Sequence, residues 1–264
     1  MSALLSALRR RGSTSTPWTP ASGTPLFWVD TPAALAGGRL WQLFTLSTAV
    51  TTVADPIGAI VQEGSLGNNL IQANGSRRYY LTTLADGQYA LGSDGIDDAL
   101  ISSTVAFSTG AKTLGCRFEY HAALGATETD VLLMMGGASA MTQIRIIGSS
   151  SGNNGISLIC DVAGVSKTMR RYSGFTTSSG TTHTLILAYN GGAVDSAASY
   201  RLFIDGVEVT IDTTGSAVTG AATTTLLCFT VASSPLSGKT SKVFVVDGDQ
   251  SAILADMIAY LELP

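Results

Sequence analysis

From residue 101 onward the hydrophobic positions recur with a period of two. Leu114, Cys116, Phe118 and Tyr120 alternate with Thr113, Arg117, Glu119 and His121, the pattern of a strand with one buried and one wet face. Val131–Met135 is continuously apolar, as a central strand is. Ile144–Ile147 and Ile156-Leu158-Cys160-Val162 follow across the Gly/Ser/Asn-rich loop Gly148–Gly155. Val165, Lys167 and Met169 continue the alternation, and His183, Leu185, Leu187 and Tyr189 form another strand broken by Asn190-Gly191-Gly192. Tyr200–Val209 predicts a hairpin, because Asp205-Gly206 is a two-residue turn signal between β-branched and aromatic flanks. Thr223–Val231 and Lys242–Val246 complete the strands. Ile253, Leu254, Met257, Ile258 and Leu261 then fall at helical spacing after Asp249, which predicts a short terminal helix capped by that aspartate.

The first hundred residues carry a weaker pattern. Ser2–Arg11 predicts about two turns of helix with Leu4, Leu5 and Leu8 on one face. Gly12–Pro25 is expected to run extended, since Pro17, Pro20 and Pro25 forbid a helix. Leu26–Asp30, Leu40–Phe44 and Ile57–Val61 are short apolar runs between turns and loops. Residues 26–92 therefore read as an irregular preamble packed on a sandwich. The stretch Tyr89–Ile101, with Asp94-Gly95 and Asp97-Asp98 inside it, reads as the seam where that preamble becomes a regular β domain. Strands at intervals of about ten to fifteen residues, without alternating helices, predict an antiparallel sandwich. The expected division is an N-terminal arm at 1–25 and one sandwich domain at 26–264.

Composition narrows the class. Of 264 residues 45% are hydrophobic, enough for a large core, while only 13% are charged. A polar but uncharged surface suits an assembled or extracellular particle protein better than a free cytosolic enzyme. Arg9, Arg10 and Arg11 are the only charges in residues 1–25; setting these three aside leaves 12 basic against 19 acidic residues, a balance of −7. A body of that sign gives no support to nucleic-acid binding. Cys116, Cys160 and Cys228 are far apart and each lies in an apolar run, which reads as buried reduced thiols. No apolar run is long enough for a membrane span. The positive charge follows the apolar start instead of preceding it, so a secretory signal is not expected and synthesis is assigned to the cytoplasm.

The order of the pieces resembles the concanavalin A-like (laminin G-like) jelly-roll domains of tailed-bacteriophage virion proteins. The resemblance rests on Leu26-Phe27-Trp28-Val29-Asp30, Val53-Ala54-Asp55-Pro56-Ile57-Gly58 and the Gly64–Asn69 loop. It continues through Arg77-Arg78-Tyr79-Tyr80, Gly92-Ser93-Asp94-Gly95-Ile96-Asp97-Asp98, the hairpin Tyr200–Val209 and the closing helix. Gly92-Ser93 stands where the family commonly has an aromatic residue. The resemblance implies an all-β, antiparallel jelly-roll sandwich with an extended N-terminal arm and a short C-terminal helix. It also implies a non-enzymatic structural component of a phage particle, as capsid decoration, fibre or tail-associated protein. On that reading Leu4, Leu5, Leu8 and Arg9–Arg11 bind other virion proteins, and the chain is a homo-oligomer, a trimer by preference. Location in the virion follows from the same resemblance, and no cofactor and no membrane contact are expected. The alternative is a receptor-binding or adhesin module for host glycan on a phage tail.

Candidate chemistry is sparse. Asp94, Asp97 and Asp98 are a start towards the six to eight oxygens calcium takes, but turn and cap roles account for them more simply. The acids nearest a catalytic pair are Glu119, Glu128 and Asp130, and the alternating acidic strand of glucanases is absent. His121 and His183 are the only histidines and neither has a nucleophile motif beside it. Gly152-Asn153-Asn154-Gly155 and Tyr189-Asn190-Gly191-Gly192 have the composition of sugar-holding loops, which makes Asn153, Asn154 and Asn190 the candidate glycan contacts.

Overall fold

The structure is a computed structural model that describes residues 17–65, 67, 69–94, 98–102, 110–120, 129–137, 140–147, 155–161, 168–172, 180–192, 197–215, 227–228 and 238–263. In chain order its strands are β1 (Pro25–Asp30), β2 (Leu40–Trp41), β3 (Pro56–Ile57), β4 (Ala59–Ile60), β5 (Leu70–Ile71), β6 (Tyr79–Thr83) and β7 (Tyr89–Gly92). There follow β8 (Ile101–Ser102), β9 (Lys112–Tyr120), β10 (Thr129–Gly137), β11 (Ala140–Ile147), β12 (Gly155–Asp161) and β13 (Thr168–Tyr172). The last are β14 (Thr182–Tyr189), β15 (Tyr200–Ile204), β16 (Val207–Val209), β17 (Asp212–Gly215), β18 (Leu227–Cys228) and β19 (Gly238–Asp247). A short helix lies at Thr31–Ala36 and another, at the C-terminal end, at Leu254–Glu262. Among the described residues no helix is long and apolar enough to cross a membrane.

The strands form two sheets. The first runs β16-β15-β14-β9-β19-β7-β6-β3, with β1 also paired to β19. The second runs β17-β13-β12-β11-β10-β18-β8-β5-β4-β2. Pairing is antiparallel across the first sheet's central ladders and the second sheet's long hairpins. Strand β19 is fully apposed to β9 on one edge. Its other edge is shared by β7, at Lys239 and Thr240, and β1, at Lys242–Val246.

The main core lies between the sheets. Leu114, Cys116 and Phe118 of β9, Leu185 and Leu187 of β14, Leu202 and Ile204 of β15, and Val243 and Val245 of β19 face Leu40, Ile60 and Leu70 from the second sheet. These are the alternate positions that the period-two pattern marks as buried. The all-β antiparallel sandwich with a short C-terminal helix is therefore the architecture of the protein. Cys116 is a free, buried thiol whose surroundings push its pKa up, because burial penalises the thiolate.

The opposite face of the first sheet differs from the expectation of a wet face. Thr113 is 0%, Arg117 7% and Glu119 3% exposed. The C-terminal helix covers this face: Met257, Tyr260 and Leu261 pack on Ile186, Phe203, Phe244 and Val246. Trp18 joins them edge-on, with its ring 5.4 Å from Phe244 and 5.8 Å from Tyr260. Trp18 thus holds the described end of the arm, residues 17–25, against the body. Leu4, Leu5, Leu8 and Arg9–Arg11 lie outside the described residues.

Two cations on that covered face donate to carbonyls at the helix end. Arg117 Nη1 donates to the Leu261 carbonyl at 3.1 Å, and the guanidinium also meets Asp86. Lys242 Nζ donates to the carbonyls of Tyr260 (3.0 Å) and Leu263 (2.6 Å). Cations at the carbonyl end of a helix are favoured by its dipole and by the carbonyls left without helical partners. At the other end Asp249 does not cap the helix as expected, because a 3-10 turn at Ser251–Ile253 intervenes and Ile253 stands at the cap position. Asp249 Oδ1 accepts from Ser251 N at 3.0 Å at the start of that turn.

Residues 26–92 also differ from an irregular preamble. They supply β1, β3, β6 and β7 to the first sheet and β2, β4 and β5 to the second. Four of these seven strands are two residues long, too short to display a period. Tyr89–Ile101 is the crossing between the layers, since β7 lies in the first sheet and β8 in the second.

Candidate functional site

The hairpin of β15 and β16 forms one edge of the first sheet. It turns at Asp205 (φ 49°) and Gly206 (φ 77°), the positive pair that a two-residue hairpin turn requires. The turn is reinforced from β14: Asp205 Oδ1 accepts from Thr184 N at 2.9 Å and Oδ2 lies 2.8 Å from His183 Nδ1. His183 is buried against Phe118, with ring centroids 5.8 Å apart. Asp205 therefore braces His183 and the turn together, and this histidine is part of the hairpin's support.

At the far end of the same hairpin lies a surface groove of about 290 Å³, lined by Ala197, Tyr200, Arg201, Glu208, Val209, Thr210 and Ile211. Residues 210 and 211 are where the chain leaves β16 for β17, crossing from one sheet to the other. Arg201 and Glu208 are diagonal cross-strand neighbours, because Phe203 pairs with Glu208 and Arg201 precedes Phe203 by two. Their contact is bidentate: Nε to Oε1 and Nη2 to Oε2, both 2.8 Å. The guanidinium also sits 4.9 Å from the centre of the Phe203 ring. The bond to Arg201 holds the Glu208 carboxyl below the usual carboxylate range and raises the pKa of the guanidinium in turn. With side chains 47% and 50% exposed, the pair is open to solvent.

The groove adjoins the Tyr189–Gly192 loop. Tyr189 and Tyr200 are directly paired across the strands and their rings stack at 5.1 Å and 28°. Tyr189 Oη donates to the Gly192 carbonyl. Asn190 Nδ2 donates to the Ala198 carbonyl at 3.1 Å, and its Oδ1 accepts from Gly192 N at 2.9 Å. Asn190 thus braces the loop that positions the tyrosines and Ala197, and the residue is exposed. Asn153 and Asn154 lie outside the described residues.

The acidic seam behaves as a turn. Asp98, 2% exposed, accepts the Asp94 N–H at 2.9 Å. Both carboxylates act on the Tyr80 hydroxyl, whose pKa is raised first by burial and then by Asp98 and Asp94. Asp97 is outside the described residues, and among the described residues no group of three His, Cys, Asp or Glu could hold a metal. Of the strand acids, Glu119 is buried and bonded to Lys239 Nζ at 2.9 Å and to Ala85 N. Arg201 and Glu208 escaped the sequence reading as a site. The register set by the Asp205-Gly206 turn would have located their contact, but nothing in the pattern marks the crossing at 210–211 as a groove.

No protein-family model matches the chain, and no curated protein matches it in sequence. Solved structures do match in shape. The enzymatically active domain of tailspike protein 2 from bacteriophage CBA120 superimposes with a TM-score of 0.51 at 15% identity, over 70% of this chain and 29% of that one. Botulinum neurotoxin type C gives 0.56 at 10% identity, over 79% of this chain and 51% of that one. A Trypanosoma rangeli sialidase gives 0.54 at 7% identity, over 96% and 34%. The chain thus spans under a third of the tailspike chain and about half of the toxin chain.

These likenesses correct one expectation. A non-enzymatic role was inferred from a resemblance to structural virion domains, yet the chains that share this shape include an enzymatically active tailspike domain and a sialidase. The architecture accommodates glycan-active enzymes and cannot serve as grounds for excluding catalysis. At these identities the likeness establishes the fold: a β-sandwich of the kind found in phage tailspike and neurotoxin domains.

Proposed function

We propose that this protein is a tail-associated component of a bacteriophage particle, of the concanavalin A-like jelly-roll type, that engages carbohydrate on the host surface. The observation that carries the reading is the groove at the edge of the first sheet. It combines half-buried apolar lining from Val209 and Ile211, with Tyr200 buried behind them, and an exposed, bidentate pair of Arg201 and Glu208. Carbohydrate sites need these elements together: an apolar face for ring C–H groups and fixed polar atoms for hydroxyls. Support comes from proteins of the same shape, including the phage tailspike domain and the neurotoxin that depends on two ganglioside molecules to enter cells.

In this reading residues 1–25 are the attachment arm. Leu4, Leu5 and Leu8 lie on another virion protein, with Arg9–Arg11 meeting its acidic residues, and oligomerisation of the sandwich multiplies weak glycan contacts by avidity. Removal of residues 2–11 leaves a folded body that no longer joins particles.

The test is a glycan array with purified protein, alongside an assay for reducing ends released from host envelope polysaccharide. Reproducible hits lost in the Arg201→Ala/Glu208→Ala double variant support the reading, and reducing-end release would add cleavage to recognition. Exposed pairs contribute little to stability, so the variant stays folded. An array without hits, together with no release, would sink the proposal.

A further inference from the structure

We infer that the groove takes a neutral pyranose with adjacent free hydroxyls, and that the Arg201–Glu208 pair is the element that reads them. This rests on the carbohydrate reading above and specifies its ligand.

The charge of the groove decides against acidic sugars. Arg201 and Glu208 are the titratable side chains lining it besides Tyr200, and their charges cancel in a bidentate bond. Asp249 also acts on Arg201 from outside the lining, so the local field is not cationic. A carboxylate ligand would have to compete with Glu208 for the guanidinium and would meet two acids.

The geometry of the pair suits a diol. A guanidinium has five N–H donors in one plane, and each carboxylate oxygen has more than one lone-pair site. Two N–H groups are spent on Glu208, one from Nε and one from Nη2. The Nη1 edge and the second Nη2 hydrogen remain beside the outer lone pairs of Glu208, giving donors next to acceptors. A sugar hydroxyl both donates and accepts, so two neighbouring hydroxyls match that edge, whereas a carboxylate, which only accepts, uses half of it. The pair is also held before any ligand arrives, by the cross-strand register and by Phe203 beneath the guanidinium, which lowers the ordering cost of binding.

Size and walls agree. At about 290 Å³ the groove is at the small end of ligand sites, which fits a single sugar ring. Val209 and Ile211, half-buried against the core, add apolar atoms to the groove lining, and Tyr200 is buried behind them.

The experiment titrates the full chain with methyl glycosides of glucose, mannose and galactose. N-acetylneuraminic acid and galacturonic acid glycosides form the acidic arm, and binding is followed by NMR at low and high salt. The expected result is saturable binding of at least one neutral glycoside, insensitive to salt. Glu208→Gln and Arg201→Lys should each weaken it by about tenfold without shifting the thermal midpoint. Preferential, salt-sensitive binding of an acidic glycoside overturns this inference while leaving the carbohydrate reading intact. Neutral binding unchanged in both variants does the same. No binding of any glycoside here, with hits on the array, also overturns it; no hits on the array either removes both readings.

Discussion

The ring of Phe244 fills the space that a side chain on its cross-strand partner Gly115 would need. The two residues are directly opposed in β19 and β9, and a Cβ on Gly115 would stand 2.5 Å from Cε1 of that ring. Glycine at this position is what lets the ring lie down on the sheet and carry Trp18 and Tyr260 above it. Gly115→Ala must therefore displace a fully buried aromatic ring. The expected loss is about 1–3 kcal/mol of unfolding free energy, as for other overpacked cores, read by chemical denaturation. A matching change in near-UV circular dichroism from the aromatic cluster should accompany it.

The C-terminal helix is held at its carbonyl end by Lys242. Removing that ammonium leaves the Tyr260 carbonyl without this donor in a buried setting and leaves the Leu263 carbonyl to Gln88. Lys242→Ala should cost about 1–3 kcal/mol, and amide exchange over residues 254–262 should accelerate more than exchange in β9 or β14. Uniform acceleration across all three would show that the helix does not open on its own.

Asp205 is expected to matter to the hairpin beyond its turn propensity. Asp205→Ala removes the acceptor for Thr184 N and the partner of His183. A loss of about 1–2 kcal/mol should follow in thermal denaturation. Asp205→Asn, which keeps one acceptor and tolerates positive φ, should recover part of it.

Stability at low pH should depend on Asp55. Its carboxylate accepts from Thr51 N at 2.8 Å and Thr52 N at 2.9 Å, and these bonds, the Thr51 one first, hold its pKa below the usual carboxylate range. A carboxyl depressed in the folded state contributes stability that is fully present above its unfolded value, about 3.9, and is lost as pH falls through the folded value. Asp55→Ala should therefore be less stable than the wild type near neutrality, with the gap closing in strong acid. A gap that stays constant down to about pH 2 would contradict this linkage.

Much of the fold is legible in short stretches because the information there is local. Alternation along β9, β14 and β19, the Asp205-Gly206 turn and the helical spacing of Leu254, Met257 and Leu261 each depend on residues within a few positions of one another. Four two-residue strands in the first part of the chain are not legible, since a period of two needs more than one cycle to be seen. The site is legible only in fragments. Tyr189 and Asn190 lie in a loop of recognisable composition, but Asn190 turns out to hold the loop, and the groove beside it depends on Arg201, Glu208 and Ile211.

The amino-acid pattern by itself determines an antiparallel β-sandwich, the inner face of its long strands and a short closing helix. These follow from side-chain period and turn chemistry, which act over a few residues. Only the tertiary structure decides that Thr113, Arg117 and Glu119 are buried too. Alternation separates the two faces of a strand but does not say what covers each. That cover comes from Trp18 and residues 254–263, more than ninety positions away from β9 on either side of the sequence. The same distance argument applies to the groove. It exists because the chain leaves the first sheet at 210–211 beside the end of β14, and that juxtaposition is made by packing, not by any run of neighbouring residues.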